Sequence, residues 1–241
     1  MEVPAHPYSE AESRRFGIVV HRFIYGEGPE SAFIDRVISE QWGLAIVRVP
    51  TSNLDLVAKL LEFPWARLCD CIVEFTRDNR RAGAPSPVQT PGLEIRSLTA
   101  LDKGLLDELV GEIFADYRNH YSCNPRLASF ALVDAYREWA REFIEKADRR
   151  CWLASVDGVP AGIATVKTTE PTEGVLYGVR PSFRGRGLYH DLIRTTVQSF
   201  VDSGSDSSVV STQLENRAVQ VVWTKESFRP TSSWYTVHLM R

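Results

Sequence analysis

An α/β (α+β) fold is predicted by three features of the chain. Strand-like apolar runs alternate with amphipathic helical periods from end to end. Gly- and Pro-rich breaks separate most of these segments. One stretch, 175–193, reads as a buried strand, a basic Gly-rich turn and a helix in immediate succession. With 241 residues there is material for one large or two small domains.

Taken in order, residues 1–15 are polar and read as loose, and 16–25 is rich in Val, Ile, Phe and Tyr and reads as a strand. After Gly26-Glu27-Gly28-Pro29, the apolar positions Phe33, Ile34, Val37, Ile38 and Trp42 give one helical face, which Gly43 ends. The continuous apolar run 44–49 is a central strand. Asn53 caps a helix carrying Leu54, Val57, Leu60 and Leu61 up to Pro64, and 68–75 alternates as a strand. Residues 77–91 hold three prolines and no period, so they read as a linker. Beyond it come a strand at 93–98, a helix through Leu105 to Ile113 and a polar, aromatic loop over 116–125. A long amphipathic helix over 127–147 follows, then a hairpin, 151–156 with 159–167, closed by Asp157-Gly158. After the strand 175–179 and its helix, 208–213 is a strand, Asn216 opens a helix, and 233–239 closes the sheet.

Composition narrows the function classes. Hydrophobic residues make up 44% of the chain and charged residues 24%, ordinary for a globular protein. A net charge of −3 without a long basic run gives no bulk attraction to nucleic acid. No apolar stretch reaches eighteen residues, and the first residues lack a secretory pattern, so a cytoplasmic protein with no membrane partner is expected. Four irregularly spaced cysteines do not make a disulfide scaffold, and no metal ligand set is evident. Cys69 and Cys71 share one face of a strand as core thiols, and Cys123 is the thiol expected to be exposed.

The chemistry concentrates at Arg184-Gly185-Arg186-Gly187-Leu188. Glycines let backbone N–H groups approach a ligand, and a helix N-terminus adds unpaired donors and a positive dipole end. Two arginines complete an anion cradle suited to a phosphate or pyrophosphate. It is not a Walker loop, since no Gly-Lys-Ser/Thr follows, and the later glycine of a dinucleotide fingerprint is missing.

Val179-x-Pro181-x-x-Arg184-Gly185-x-Gly187 resembles the acyl-CoA motif of the GNAT superfamily of N-acyltransferases. In the pattern Arg/Gln-x-x-Gly-x-Gly/Ala, Arg184 and Gly187 match and Tyr189 stands where a small residue is expected. Residues 216–228 resemble the later helix of the same family, which opens on Asn, carries a Tyr and closes on Gly-Phe. Here Asn216 and Phe228 match, Trp223 takes the Tyr position and Ser227 the Gly position. The resemblance covers about 93–241 and implies a GNAT domain with a central mixed, mainly antiparallel sheet flanked by helices. It implies acyl-CoA as co-substrate, bound by Val179, Arg184, Gly185, Arg186, Gly187, Leu188 and Tyr189, with Asn216 and Trp223 from the later helix. The strand–helix–strand–helix–strand block before it looks like half such a domain without a cradle. The expected organisation is therefore an N-terminal α/β domain over 1–76, a linker over 77–92 and the GNAT domain over 93–241. An exposed strand edge in the first block would allow a homodimer.

Acyl transfer to an amine requires the pyrophosphate to be held, the carbonyl polarised, the amine neutral and the thiolate stabilised. The resemblance puts the polarising N–H on Val179. Trp223 cannot act as an acid near neutral pH, because an indole N–H only donates a hydrogen bond. A CoA thiol, with a pKa near ~8.5 by analogy with cysteine, leaves tolerably without one. His120 is the candidate base, and Tyr177, next but one to Val179, is placed to face the acyl group. His190 is expected on the outer face of its helix. Phe114–Pro125, Tyr136–Trp139 and the Trp234-Tyr235 end resemble bacterial N-acyltransferases of dTDP-linked amino-deoxysugars, of the dTDP-fucosamine acetyltransferase kind. That likeness implies Asp116, Tyr117, Arg118 and Tyr121 at the acceptor and a dTDP-amino sugar as partner. A peptide, polyamine or antibiotic amine as acceptor, and a CoA-binding module without turnover, stay open at this stage.

Overall fold

The computed structural model describes residues 7–127, 130 and 132–241, and the chain divides into two compact units that do not follow a single cut. The first unit takes Met1–Val73, Arg118–Phe130 and Ser232–Arg241, and the second Glu74–Tyr117 and Ala131–Thr231.

In the first unit, β1 (Val20–Ile24) runs parallel to β2 (Leu44–Pro50), with Val20 opposite Leu44. The helix α2 (Glu30–Ser39) makes the crossover that a parallel pair requires. β9 (Arg229–Met240) lies antiparallel on the other side of β2, from Leu44 opposite Met240 to Pro50 opposite Trp234. α3 (Leu54–Leu61) starts where the Asn53 side chain accepts the Leu56 N–H at 3.0 Å. One sheet face, with Phe23, Ala45, Val47, Val49, Val237 and Leu239, packs against Val37, Leu56, Val57 and Leu60 of α2 and α3. The register puts Arg22, Ile46 and His238 in one row of the opposite face and Arg48 and Thr236 in the next. This unit also holds a helix the sequence reading missed: α1 (Glu10–Phe16) replaces the loose segment and the first part of the predicted strand 16–25. Acidic Glu10 and Glu12 open it, Arg14 and Arg15 close it, and Phe16 is buried.

β3 (Ala66–Asp78) carries the chain out of the first unit. In the second unit β4 (Leu93–Ser97), β5 (Arg149–Val156), β6 (Val159–Lys167) and β7 (Thr172–Val179) pair consecutively and antiparallel, and β8 (Ser207–Gln213) joins β7 in parallel. α5 (Lys103–Ile113) and α6 (Leu132–Glu145) cover one face through Leu106, Leu109, Val110, Tyr136 and Phe143 against Leu153, Ile163 and Leu176. On the other face Ala154, Ala161 and Ala164 are small enough for α7 (Leu188–Asp202) to seat Leu188 and Leu192 directly on the strands. α8 (Arg217–Lys225) follows β8. The mixed sheet flanked by helices agrees with the predicted class.

Residues 77–92, which read as a linker, are fastened within the second unit. Asn79–Ala82 form a short helix, α4, and the Asp191 carboxylate accepts the backbone N–H groups of Gln89 and Thr90 at 3.1 and 2.8 Å. The predicted helix 127–147 is described from Leu132 to Glu145, and a 3₁₀ turn occupies Pro125–Leu127. Residues 128, 129 and 131 of that span, like 1–6, lie outside the described residues. All four cysteines are free; Cys69 and Cys151 are buried, with thiols pushed up to about 12 by burial, and Cys123 is half-buried rather than exposed.

Candidate active site

The cradle stands where β7 ends. A 3₁₀ turn at Pro181–Phe183 leads to Arg184, and Gly185 and Gly187 adopt φ of 77° and 86°, left-handed values that a side chain would strain. Gly187 is the N-cap of α7, and no side chain caps the helix. Above both glycines the space is open: a Cβ on either would meet nothing within 4 Å. The first-turn N–H groups of α7 therefore face a clear approach at the positive end of the helix dipole. Arg184 folds back, its Nε donating to the Val179 carbonyl and an Nη to the Ile113 carbonyl, both at 3.2 Å. Arg186 sits 5.4 Å from the centre of the Phe183 ring.

Beside the cradle, β7 and β8 part. Their pairs are Thr172–Ser208, Glu173–Val209 and Gly174–Val210, yet β7 continues to Val179 and β8 to Gln213. On the other edge of β7, the Arg180 N–H donates to the Ala161 carbonyl at 2.8 Å, and Val179 lies opposite Gly162. That makes Val179–Gly162 a non-hydrogen-bonded pair, so the N–H and C=O of Val179 point away from β6 into the gap left by β8. Tyr177, opposite Ala164, presents its backbone groups to the same side.

Aromatic side chains cluster around β7, α7 and the end of β8. The Tyr177 hydroxyl donates to Thr196 Oγ1 at 3.0 Å, and Thr196 donates to the Ile193 carbonyl at 2.9 Å. Burial raises the Tyr177 phenol, so the group predicted to serve the acyl chemistry is a fixed, protonated donor, already engaged. The Tyr189 ring stands edge-on to it, centroids 6.2 Å apart, and burial raises this phenol well above its usual range. Trp223 is buried beside the Tyr189 hydroxyl and edge-on to Phe75 at 5.5 Å; its indole N–H has no hydrogen-bond partner among the described residues. Tyr117 hydrogen-bonds the Gln213 side chain at the end of β8 and packs on Phe114 and Tyr136. Asn216 stands as N-cap of α8, but its side chain accepts no N–H of the helix, and its amide donates to Thr212 Oγ1 at 3.0 Å.

The predicted loop divides. Asp116, exposed, and Tyr117 belong to the second unit, and Arg118, His120 and Tyr121 to the first. His120 is buried, not an exposed loop base: its Nδ1 meets His238 Nε2 at 2.8 Å, and the Asn124 amide meets His238 Nδ1 at 3.2 Å. Burial first, then His238, Arg48 and Arg22, hold the His120 imidazole neutral well below the usual histidine range. Tyr121 is tied to Glu12 and to Arg22, which donates to its hydroxyl at 3.0 Å.

Sequence reasoning missed Gly174, Thr196 and Gln213, whose importance is positional. It also missed the network behind the cradle. The buried Glu226 carboxylate binds His190 Nε2 at 2.6 Å and Arg194 Nε at 2.9 Å, and Arg194 reaches Asp191 at 3.0 Å. His190 is thus half-buried against α8 rather than on an outer face.

Residues 112–227 match the model of the acetyltransferase (GNAT) family, a span containing both the cradle and α8. Over this span, a little under half of the chain, the sequence is similar to the GNAT acetyltransferase family. A GCN5-related N-acetyltransferase from Sphaerobacter thermophilus is similar to 87% of this chain at 17% identity and a TM-score of 0.59. The chain spans 64% of that protein. A GCN5-related N-acetyltransferase from Kribbella flavida is similar over 99% of the chain and 88% of its own, at 12% identity and a TM-score of 0.58. A tandem GNAT protein from the clavulanic acid biosynthesis pathway is similar over 82% of the chain and 64% of its own, at 16% identity and a TM-score of 0.53. At these identities the likeness is one of fold, the fold that GCN5-related N-acetyltransferases and a tandem GNAT protein share. No curated protein matches the chain. Among the described residues no helix is long and apolar enough to cross a membrane.

Proposed function

We propose that the chain is a CoA-dependent N-acyltransferase that moves a short acyl group from acyl-CoA to a primary amine. The observation that carries this reading is the open Gly185–Gly187 cradle at the uncapped start of α7, set beside a gap in the sheet toward which the Val179 N–H and the backbone groups of Tyr177 turn. The cradle fits a pyrophosphate, with N–H groups from the first turn of α7 and charge from Arg184 and Arg186. Tyr177 and Val179 fit an extended ligand that pairs with β7 as another strand would. Acyl-CoA would supply the activated thioester when bound, and CoA thiol would leave as the amide forms. The Val179 N–H, free of β6, is the donor placed to stabilise a developing oxyanion. In this reading Leu188 and Tyr189 line the inner wall, Trp223, beside the Tyr189 hydroxyl, contributes from α8, and Asn216 at the start of α8 is a further candidate contact. The neutral His120–His238 pair is poorly suited to take a proton from an ammonium, so we assign it a structural role.

For the acceptor, a dTDP-linked amino-deoxysugar in the cytoplasm is the first arm of the test. That choice rests on the sequence likeness of Phe114–Pro125. Tyr117 and Tyr121 are both engaged within the protein and offer no free hydroxyl to a nucleotide. The test mixes the protein with acetyl-CoA and a panel of amines and follows free CoA thiol. Release that depends on a dTDP-amino sugar supports the full reading. Release with a peptide, polyamine or antibiotic amine keeps the N-acyltransferase and removes the sugar. Absence of release with every acceptor, for acetyl and short hydroxyacyl donors alike, together with retained CoA binding, would leave a binding module in place of an enzyme.

A further inference from the structure

The two ends of α8 are held very differently. At its start the Asn216 side chain accepts no helix N–H, and Val221 on the outer face is 54% exposed. At its end stands Glu226, buried and bonded on three sides. Its N–H reaches the Val222 and Trp223 carbonyls at 3.3 and 3.1 Å. Its carbonyl accepts Arg77 Nε at 2.9 Å, and Arg77, itself buried, is fixed by the Asn79 side chain at 2.7 Å. Its carboxylate takes His190 and Arg194, which lie four residues apart on one face of α7. Through Asp191, Arg194 extends the hold to the backbone of Gln89 and Thr90. A buried set of paired charges adds little stability over apolar packing of the same size. Two charge-assisted bonds from one carboxylate to two side chains of α7 do, however, fix both the distance and the rotation of α8.

We propose that Glu226 is a positioning residue, which fixes the last turn of α8, the turn that carries Trp223, against the first turns of α7, which carry Tyr189. The proposal rests on the N-acyltransferase reading, in which both side chains belong to the wall along a bound CoA thioester. Glu226 touches no ligand itself and acts through the helices it joins. Its charge works the other way. His190 is the third residue of α7, so the carboxylate bonded to it places negative charge behind the helix end that receives the pyrophosphate. Removing that charge raises the positive potential at the cradle while it frees α8 from α7. The two effects are separable, because inorganic pyrophosphate needs only the cradle and CoA needs both the cradle and α8.

The test measures binding of CoA and of inorganic pyrophosphate to the full chain by calorimetry, with urea unfolding of each variant alongside. Glu226→Ala is expected to weaken CoA at least about tenfold, the scale of loss that a misplaced contact wall produces. The same variant should bind pyrophosphate as the wild type does, or up to about threefold more tightly. A protein that is merely less well folded weakens both ligands alike, so the split separates positioning from stability. If Glu226→Ala does not fold, Glu226→Gln keeps the length and one acceptor oxygen, and it should show the same split at about threefold for CoA. Equal weakening of the two ligands in a folded variant, or CoA affinity within about twofold of the wild type, overturns the inference and leaves the N-acyltransferase reading intact. Wild-type binding of CoA without pyrophosphate also overturns it, since the cradle would then not act alone. A wild type that binds neither CoA nor pyrophosphate overturns the proposed function itself.

Discussion

Trp223 stands where the related helix carries a tyrosine, and the exchange changes what that position can do. An indole N–H donates and never accepts, and here it is buried beside the Tyr189 hydroxyl, an acceptor that it does not meet with full hydrogen-bond geometry. A buried donor left unsatisfied costs roughly 1–3 kcal/mol. The ring itself packs edge-on to Phe75 and is 2% exposed. These two facts predict opposite consequences for two truncations. Trp223→Phe removes the orphan donor and keeps most of the packing, so unfolding in urea should change by less than about 1 kcal/mol, or the protein should gain stability. Trp223→Ala should lose roughly 3–5 kcal/mol, the usual cost of emptying a large aromatic site. A Phe variant as unstable as the Ala variant would mean that the N–H has an acceptor and that the site is not poised for a ligand.

At the scale of elements, what was legible in the sequence is what is local. The hairpin over Asp157-Gly158, the Asn53 cap and the Gly-rich turn into α7 each depend on neighbours within a few residues, and each is present. α1 was not legible: its seven residues are too few to show a period, and Glu12 finds its partner, Arg22, on β1. Of the site, the cradle could be read, but the seat of Tyr177 could not, since nothing in a sequence sets Gly174 and Thr196 against that ring. His120 is the sharpest case. A polar loop suggests an exposed imidazole, and its partner, His238, is 118 residues further along. This pair makes the loop acid-sensitive. Burial first, with Arg48 and Arg22 adding to it, lowers the His238 pKa to about 3, and His120 is also lowered. Unfolded histidine titrates near 6.5, so below that pH the unfolded chain binds protons that the folded one refuses. Stability is therefore full well above pH 6.5 and falls as pH drops toward the folded values, by up to about 1.4 kcal/mol per pH unit for His238 and in the same direction for His120. Glu12 adds to the loss lower down: burial pushes its pKa up, but Arg22 outweighs that and holds it low, so its contribution disappears as pH falls below the usual carboxylate range. Between pH 7.5 and pH 5 the His238 imidazole should cost about 2 kcal/mol, and His120 adds to the loss in the same direction, read from urea midpoints. His238→Asn should flatten that slope, and identical wild-type midpoints at pH 7.5 and pH 5 would contradict the neutral pair.

Across the whole molecule, the two units are each assembled from separated segments, and this decides how the chain can be cut. The sequence suggests a break at 77–92 that would release two self-contained domains. The first unit, however, includes Ser232–Arg241 and Arg118–Phe130 from far beyond that break. Residues 234–240 of β9 pair with β2, and Val237 and Leu239, both 0% exposed, fill the core built with α2 and α3. In a fragment of residues 77–241 those side chains have no core to enter. Burying two such side chains is worth about 3–6 kcal/mol, a large share of the roughly 5–15 kcal/mol by which a domain is stable. His238 would also lose the sheet row that shelters it with His120, and the free edge of β9 would present unpaired backbone groups to other chains. The fragment 77–241 expressed alone should therefore aggregate or melt far below the full chain, and co-expression of residues 1–76 in trans should recover folded, soluble protein, because the missing partner of β9 is then supplied. Thermal melting followed by circular dichroism and light scattering distinguishes the outcomes. A fragment that melts at the temperature of the full chain would show that the end of β9 does not need β2, and that the break at 77–92 is a true domain boundary.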